Sequence, residues 1–285
     1  MYRFKYNMIT EIKEVSSLDE PGVSLYRTLK KPLSHRELGV FIVEGDKVVE
    51  RFFESGLTVI SVLLTEAKLE IFKDVLNRKQ ENIDVYLVTP ELLKEIVGFR
   101  YHQGIMAAGL VPESASIDEI IKNTTAPRLF VALDRLESAE NTGVIVRNCT
   151  ACGCQALLVG RNSTDPFLRR SVRNSMGAIF KIPVIYSCDL PLQLRYLREK
   201  SGFTIIAAHP GYGCTPLYEA DLTGNCCIVF GNEGEGLSEE VLDACDARVK
   251  VPMVQGIDSL NVAASSAVFL YEAMKQRICR NSVFQ

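Results

Sequence analysis

The chain has 285 residues, of which 47% are hydrophobic and 24% are charged. These values are ordinary for globular proteins, and the length suits two domains or one large one. The net charge of −3 argues against a protein that holds nucleic acid by bulk charge alone. Neither a signal peptide nor an apolar run of about 18 residues is present in the sequence, so we expect a cytoplasmic protein.

The first part of the chain predicts a small α/β domain at residues 34–111. Residues 1–33 have mixed charge and predict a weakly anchored lead-in with a first helix. After it, segments rich in β-branched residues alternate with helical segments. The predicted strands are residues 40–44, 59–65, 84–89 and 104–110.

A polar stretch bounded by prolines, residues 112–127, predicts a linker to a second domain at 128–285. Strands alternate with helices there as well, which predicts an α/β fold with a mostly parallel sheet covered on both faces. Ligands of such sheets bind beyond the carboxyl ends of the strands. The predicted strands are 129–133, 156–159, 184–186, 204–208, 228–230 and 248–251, and a long helix is expected from about 261 to 280.

All nine cysteines lie at or after Cys149, mostly inside apolar runs, which favours buried free thiols. A metal site at Cys149, Cys152 and Cys154 is the alternative, but the sequence offers no second pair that would complete four ligands. We therefore expect no metal.

The segment between Arg161 and Lys181 is locally basic, with Asp165 as its only acid. Such a patch can neutralise phosphates although the whole chain is acidic, and a solvated basic face is the alternative. The basic residues are Arg161, Arg169, Arg170, Arg173 and Lys181.

The loop that follows strand 129–133 continues into the sequence N-T-G-V-I-V-R, which ends at Arg147. Asn141 is a candidate N-cap of a helix that ends at Gly153. Gly143 and Arg147 are four residues apart and share a helix face, where the planar guanidinium group could meet a substrate phosphate. A surface arginine on an amphipathic helix would give the same pattern.

Strand 228–230 leads into G-N-E-G-E-G-L-S, from Gly231 to Ser238. The glycines let backbone N–H groups approach a ligand closely, and Ser238 is a candidate N-cap. The spacing G-x-x-G-x-G differs from the G-x-G-x-x-G of dinucleotide-binding enzymes, which argues against an oxidoreductase. The two acidic residues would repel a pyrophosphate but tolerate a ligand with a positive centre, such as a sulfonium.

The third loop follows strand 248–251 and contains S-L-N at Ser259 to Asn261, before a helix that begins with small residues. Ser259 and Asn261 are either helix caps or side chains free to orient a substrate hydroxyl.

Together, and in this order, the three loops resemble the SpoU/TrmH-type RNA 2′-O-ribose methyltransferases of the SPOUT superfamily. The family motifs are N-x-G-x-x-x-R, G-x-E-G-x-G after a strand, and S-L-N after a proline-containing strand end. The run from Ser34 to Gly45 is similar to the family's RNA-binding domain, which resembles a small ribosomal protein. The likeness extends over roughly residues 33–280.

The resemblance implies a deep trefoil knot in the second domain, S-adenosylmethionine as the cofactor, and a homodimer whose active site lies across the subunit interface. It implies structured RNA as the substrate, large-subunit ribosomal RNA before transfer RNA. The residues that match the family's cofactor contacts are Gly231, Val251 and Leu260. The RNA-binding candidates are Arg36, Arg169, Arg170 and Arg173.

Our hypothesis for the site is that Arg147 clamps a phosphate, because an arginine stays protonated to about pH 12 and is a poor base. Asn141, Ser259 and Asn261 would orient the ribose, and Glu233 would fix the glycine-rich loop. The alternative is a non-catalytic RNA-binding paralogue, which would usually have lost some of these residues.

Overall fold

The computed structural model of the chain describes residues 12–17, 19–27, 37–78, 83–97 and 104–283, with side chains for all of them except Val97 and residues 280–283. The described residues fall into two units. The first contains those up to residue 112 together with 167–180, and the second contains 113–166 together with those from 181 onward.

The strands and helices are numbered here in chain order. The strands are β1 Ile12–Glu14, β2 Val40–Glu44, β3 Val59–Leu64, β4 Asp84–Leu87, β5 Ile105–Leu110, β6 Leu129–Leu133, β7 Ala156–Gly160, β8 Val184–Ser187, β9 Thr204–Ala208, β10 Thr215–Pro216, β11 Cys226–Phe230 and β12 Ala247–Lys250. The helices are α1 Ser24–Arg27, α2 Asp46–Glu54, α3 Glu66–Arg78, α4 Pro90–Val97, α5 Ile117–Asn123, α6 Ala139–Ala151, α7 Arg169–Asn174, α8 Leu190–Ser201, α9 Glu239–Asp243 and α10 Val262–Val283.

The first unit is built on a five-stranded mixed sheet with the order β1-β4-β3-β5-β2. β5 runs antiparallel to both of its neighbours, whereas β1, β4 and β3 run parallel to one another. Every residue of β2 is buried, including Glu44. The predicted strands of this domain are present with ends that differ by at most two residues.

The lead-in differs from its prediction, since residues 12–17 and 19–26 contribute to the first unit's sheet and core. β1 pairs with β4, and Val15, Val23 and Tyr26 are buried. The hydroxyl of Tyr26 is 2.9 Å from that of Ser61, which gives the buried phenol a polar partner. The apolar residues of this segment are too widely spaced to show a period in the sequence.

The second unit contains a seven-stranded sheet with the order β10-β12-β9-β11-β6-β7-β8, in which all pairings are parallel. β6, β7 and β11 are buried along their whole length, as expected for parallel strands covered on both faces. The predicted parallel α/β fold is thus confirmed, and β10 is a short edge strand that the sequence did not predict.

The predicted linker contains a helix, α5, that belongs to the second unit. Ile117 and Ile120 are each 7% exposed and pack into the core of that unit. Isoleucines three residues apart form one helix face, but the polar and proline-rich surroundings hid this pattern. None of the helices in the described part of the chain has the length and apolar character needed to cross a membrane.

All nine cysteines are free thiols, and five of them are buried. Burial raises the pKa of Cys226 to about 11 and that of Cys245 to about 12. These thiols are therefore protonated at neutral pH and act as small apolar side chains.

Candidate active site

A cavity of about 320 Å³ lies at the carboxyl edge of the parallel sheet, where β9, β11 and β12 end. This is the edge at which ligands of parallel α/β sheets bind. The predicted residues that line it are Gly231, Glu233, Val251, Ser259, Leu260 and Asn261. The second and third sequence loops therefore form one pocket.

Glu233 connects this pocket to the first sequence loop. Its carboxylate accepts hydrogen bonds from the Asn141 side chain at 2.9 Å and from the backbone N–H groups of Glu137 and Ser138 at 3.2 and 3.1 Å. Burial alone would raise the pKa of Glu233, but the hydrogen bonds outweigh burial and the pKa is lowered. Glu233 is thus ionised at neutral pH and serves as an acceptor for the loop before α6.

Asn261 extends the same chain of hydrogen bonds. Its side-chain nitrogen donates to the side-chain oxygen of Asn141 at 3.1 Å, while its own oxygen accepts from the backbone N–H of Ala263 at 2.9 Å. Asn261 therefore caps α10 and also orients Asn141. Residues of all three loops are linked in the order Asn261, Asn141, Glu233.

The glycine-rich loop is closed by contacts that the sequence did not reveal. The Asn232 side-chain oxygen accepts from the backbone N–H of Gly234 at 2.8 Å, and its nitrogen donates to the carbonyl of Arg135 at 2.9 Å. A Cβ at Gly231 would come within 2.5 Å of the backbone nitrogen of Leu237, so only glycine fits there. The loop is therefore a tight turn that exposes backbone groups to the pocket.

Two predicted helix caps differ in the structure. The N-cap of α6 is Ser138, whose hydroxyl oxygen accepts from the N–H of Asn141 at 3.1 Å. Asn141 therefore lies inside the first turn, and its side chain donates a hydrogen bond to Glu233 instead of capping the helix. Ser238 occupies the N-cap position of α9, but its hydroxyl donates to the buried carboxylate of Asp134 at 2.9 Å instead of capping the helix. The side-chain partners of Asn141 and Ser238, which are Glu233 and Asp134, are 92 and 104 residues away, so local patterns do not reveal them.

Arg147 and Ser259 make fewer contacts than the residues above. The Arg147 side chain is exposed on α6, and among the described residues no hydrogen bond or ion pair reaches it. Arg147 follows Asn141 by six residues, a rotation of about 240° around a helix, so the two side chains leave α6 in different directions. Ser259 lines the pocket with an exposed side chain.

Asn148 is a structural residue of the site that the sequence analysis did not single out. Its side-chain nitrogen donates to the carbonyl of Ala263 at 3.1 Å and to the hydroxyl of Ser266 at 2.9 Å. These bonds join α6, which carries Asn141, to the first turn of α10, which begins directly after Asn261. An asparagine in the second half of a helix gives no local signal of this role.

Three of the RNA-binding candidates, Arg169, Arg170 and Arg173, lie in the first unit. Arg36 lies outside the described residues. Arg169 and Arg173 each donate to the buried carboxylate of Glu44, at 2.6 and 2.9 Å, and Arg170 is exposed. A carboxylate that is 4% exposed needs such partners, so part of the basic segment stabilises the first unit.

Comparison with known proteins gives a consistent result. Residues 128–271 match the model of the SpoU rRNA methylase family, and residues 42–109 match that of the RNA 2′-O ribose methyltransferase substrate-binding domain. The chain is 31% identical to an uncharacterized tRNA/rRNA methyltransferase of Mycobacterium tuberculosis over 92% of this chain and 91% of the relative. It is 28% identical to the 23S rRNA (guanosine-2′-O-)-methyltransferase RlmB of Vibrio vulnificus, over 82% and 92% of the two chains.

Among solved structures, the fold matches the SpoU methyltransferase AviRb of Streptomyces viridochromogenes in complex with AdoMet. The TM-score is 0.80 with 24% identity, and the match covers 91% of this chain and 98% of the other.

The parallel sheet, the pocket at its carboxyl edge and these matches define an RNA methyltransferase. The chain belongs to the SpoU rRNA methylase family. The predicted family is thereby confirmed. The pocket suits the AdoMet that AviRb binds. The pocket volume lies in the usual range for small-molecule sites, and the turn at Gly231 brings backbone groups to the pocket wall.

Proposed function

We propose that this enzyme methylates a ribose 2′-hydroxyl in large-subunit ribosomal RNA. The observation that carries the proposal is the hydrogen-bonded chain from Glu233 through Asn141 to Asn261, which joins the start of α6 to two residues that line the pocket. The similarity to a 23S rRNA (guanosine-2′-O-)-methyltransferase and to a 2′-O ribose methyltransferase substrate-binding domain supports both the hydroxyl and the type of RNA.

Gly231, Val251 and Leu260 are the residues that we expect to hold the cofactor, mainly through backbone groups. S-adenosylmethionine supplies a methyl group on a positively charged sulfonium. The pocket wall suits such a ligand, because it includes the ionised carboxylate of Glu233, whose hydrogen-bond donors are uncharged.

The side chains near the pocket have to orient a weak nucleophile. A ribose hydroxyl reacts poorly unless its oxygen is aligned and its proton has an acceptor. The amides of Asn141 and Asn261 and the hydroxyl of Ser259 supply neutral donors and acceptors for that alignment. Glu233 keeps the amide of Asn141 fixed because its carboxylate is already committed to three donors.

We propose that Arg147 of one chain binds an RNA phosphate next to the target sugar, and that this sugar lies in the pocket of a second copy of the chain. Its side chain is exposed, and Arg147 is not among the residues that line the pocket of its own chain. Apolar side chains are exposed on the same helix pair, with Val144 on α6 and Val268 and Tyr271 on α10 at 36%, 40% and 59%. We propose that this face forms the homodimer interface.

The substrate is tested by mapping 2′-O-methyl sites on total RNA from cells with and without the gene. We expect one site in large-subunit ribosomal RNA to lose its methyl group, and purified enzyme to restore it with labelled S-adenosylmethionine. Loss of a transfer RNA site instead would assign the enzyme to the alternative substrate. No change in any RNA, with no label transferred in vitro, would favour a non-catalytic paralogue.

A further inference from the structure

His209 is a pocket residue that neither the three loop motifs nor the hydrogen-bonded chain includes. It follows β9 directly, and its backbone N–H donates to the carbonyl of Val249 in β12 at 2.9 Å. The backbone of His209 is therefore fixed between two strand ends, and the residue lines the cavity that Gly231 and Val251 also line.

The imidazole Nδ1 atom of His209 is buried and has no hydrogen-bond partner in the described part of the protein. Buried polar atoms in folded proteins nearly always have a partner, since leaving one unpaired costs free energy. Because this atom belongs to a residue of the cavity wall, a bound ligand is the missing partner that the geometry offers.

The neighbouring loop is shaped around this ring. A Cβ added at Gly211 would lie 2.6 Å from Nε2 and 2.8 Å from Cδ2 of His209, so the ring occupies the space that a side chain at position 211 would need. Any larger residue there would force the imidazole away from its position.

We infer that His209 is a cofactor-binding residue whose Nδ1 atom forms a hydrogen bond with the adenosyl part of S-adenosylmethionine. The inference rests on the proposed use of this pocket. A nitrogen shielded from water suits a neutral partner, such as a ribose hydroxyl or the adenine amino group, because burying the charged amino acid end would require a counter-charge. A hydroxyl can also pair with either tautomer of the imidazole.

The test is calorimetric titration of S-adenosylmethionine, S-adenosylhomocysteine and 5′-methylthioadenosine into the wild-type protein and His209→Ala. We expect the Kd of all three ligands to rise by roughly tenfold, the effect of one lost hydrogen bond. Tyr212→Ala, at a fully exposed neighbour in the same loop, is the matched control and should leave every Kd unchanged.

Gly211→Ala provides an independent check. Displacement of the ring should weaken binding to the same degree as His209→Ala, and the double variant should bind no more weakly than His209→Ala alone, because the methyl group then has room. Additive losses would show that position 211 acts without the imidazole and would overturn this part of the inference.

Thermal unfolding without ligand separates a binding role from a structural one. Since Nδ1 has no partner in the described part of the protein, we expect His209→Ala without ligand to unfold at the wild-type temperature. The increase in unfolding temperature that S-adenosylmethionine causes should be smaller for this variant than for the wild type. A variant that is already destabilised without ligand would overturn the inference, as would an unchanged Kd. Weaker binding of only the two ligands that carry the amino acid end would overturn the adenosyl assignment, and failure of the wild type to bind S-adenosylmethionine would instead count against the proposed function.

Discussion

The Glu233 side chain acts at this site through its negative charge. Three N–H donors converge on its carboxylate, and each of them stabilises the ionised form. A group whose pKa is lowered by its partners is a poor proton acceptor, so we expect Glu233 to hold the loop before α6 and not to act as the base of the reaction.

Glu233→Gln is expected to lower the free energy of unfolding by about 1 kcal/mol at pH 7, because an amide cannot accept all three donors. The folded-state pKa of Glu233 is lower than the unfolded one, so its stabilisation is complete above the unfolded value and is lost as pH falls through the folded value. Denaturant titrations should therefore show the difference between variant and wild type shrink below about pH 4.3.

The control for this experiment is Glu219→Gln, which removes an exposed carboxylate outside the site. Its free energy of unfolding should equal that of the wild type at every pH. A Glu233→Gln difference that stays constant down to pH 3 would show that the ionised carboxylate contributes nothing to the fold.

Arg147→Lys tests the proposed phosphate clamp. Lysine keeps the positive charge but lacks the planar fork that binds two phosphate oxygens at once. We expect kcat/KM for RNA to fall by roughly 10- to 100-fold, while the Kd for S-adenosylmethionine measured by calorimetry stays at the wild-type value. Turnover close to that of the wild type would exclude the bidentate clamp.

At the scale of helices and strands, most of the regular elements could be predicted from the sequence, whereas β1, β10, α5 and the contacts between elements could not. The β6, β7 and β11 strands are apolar runs bounded by turn residues, and this pattern is visible in a short window. The contact between Asn141 and Glu233 spans 92 residues and that between Asn141 and Asn261 spans 120. No local pattern encodes such a pairing, so the resemblance of whole motifs was needed to bring these residues together.

Asn261 has two roles at one helix end, and two substitutions separate them. Asn261→Asp keeps the oxygen that caps α10 but removes the nitrogen that donates to Asn141. We expect this variant to retain wild-type stability, since an acidic N-cap is favourable, and to lose most of its turnover.

Asn261→Ala removes both roles and should also lose about 1 kcal/mol of stability. Thermal unfolding and methyl transfer measured on both variants distinguish the capping role of Asn261 from its hydrogen bond to Asn141. Full activity of Asn261→Asp would show that Asn261 serves only as a cap.

For the whole molecule, the fold class followed from the alternation of strands and helices, whereas the boundaries between the units did not. Residues 167–180 lie in the second half of the sequence but group with the first unit, where Arg169 and Arg173 neutralise the buried Glu44. A basic run and a single glutamate 125 residues away give no hint of this pairing. The knot and the dimer that the resemblance implies stay predictions.

An active site built from two copies of the chain predicts complementation between two inactive variants. Arg147→Ala removes the clamp offered to the partner's pocket, and Asn261→Ala damages the pocket of its own chain. If the two are co-expressed in equal amounts, half of the dimers are mixed and each has one intact site, so turnover should recover to about one quarter of the wild-type value. Turnover is measured as methyl transfer to ribosomal RNA, and light scattering of the purified mixture shows whether it is dimeric. A dimeric mixture with no more activity than the separate variants would mean that Arg147 acts within its own chain.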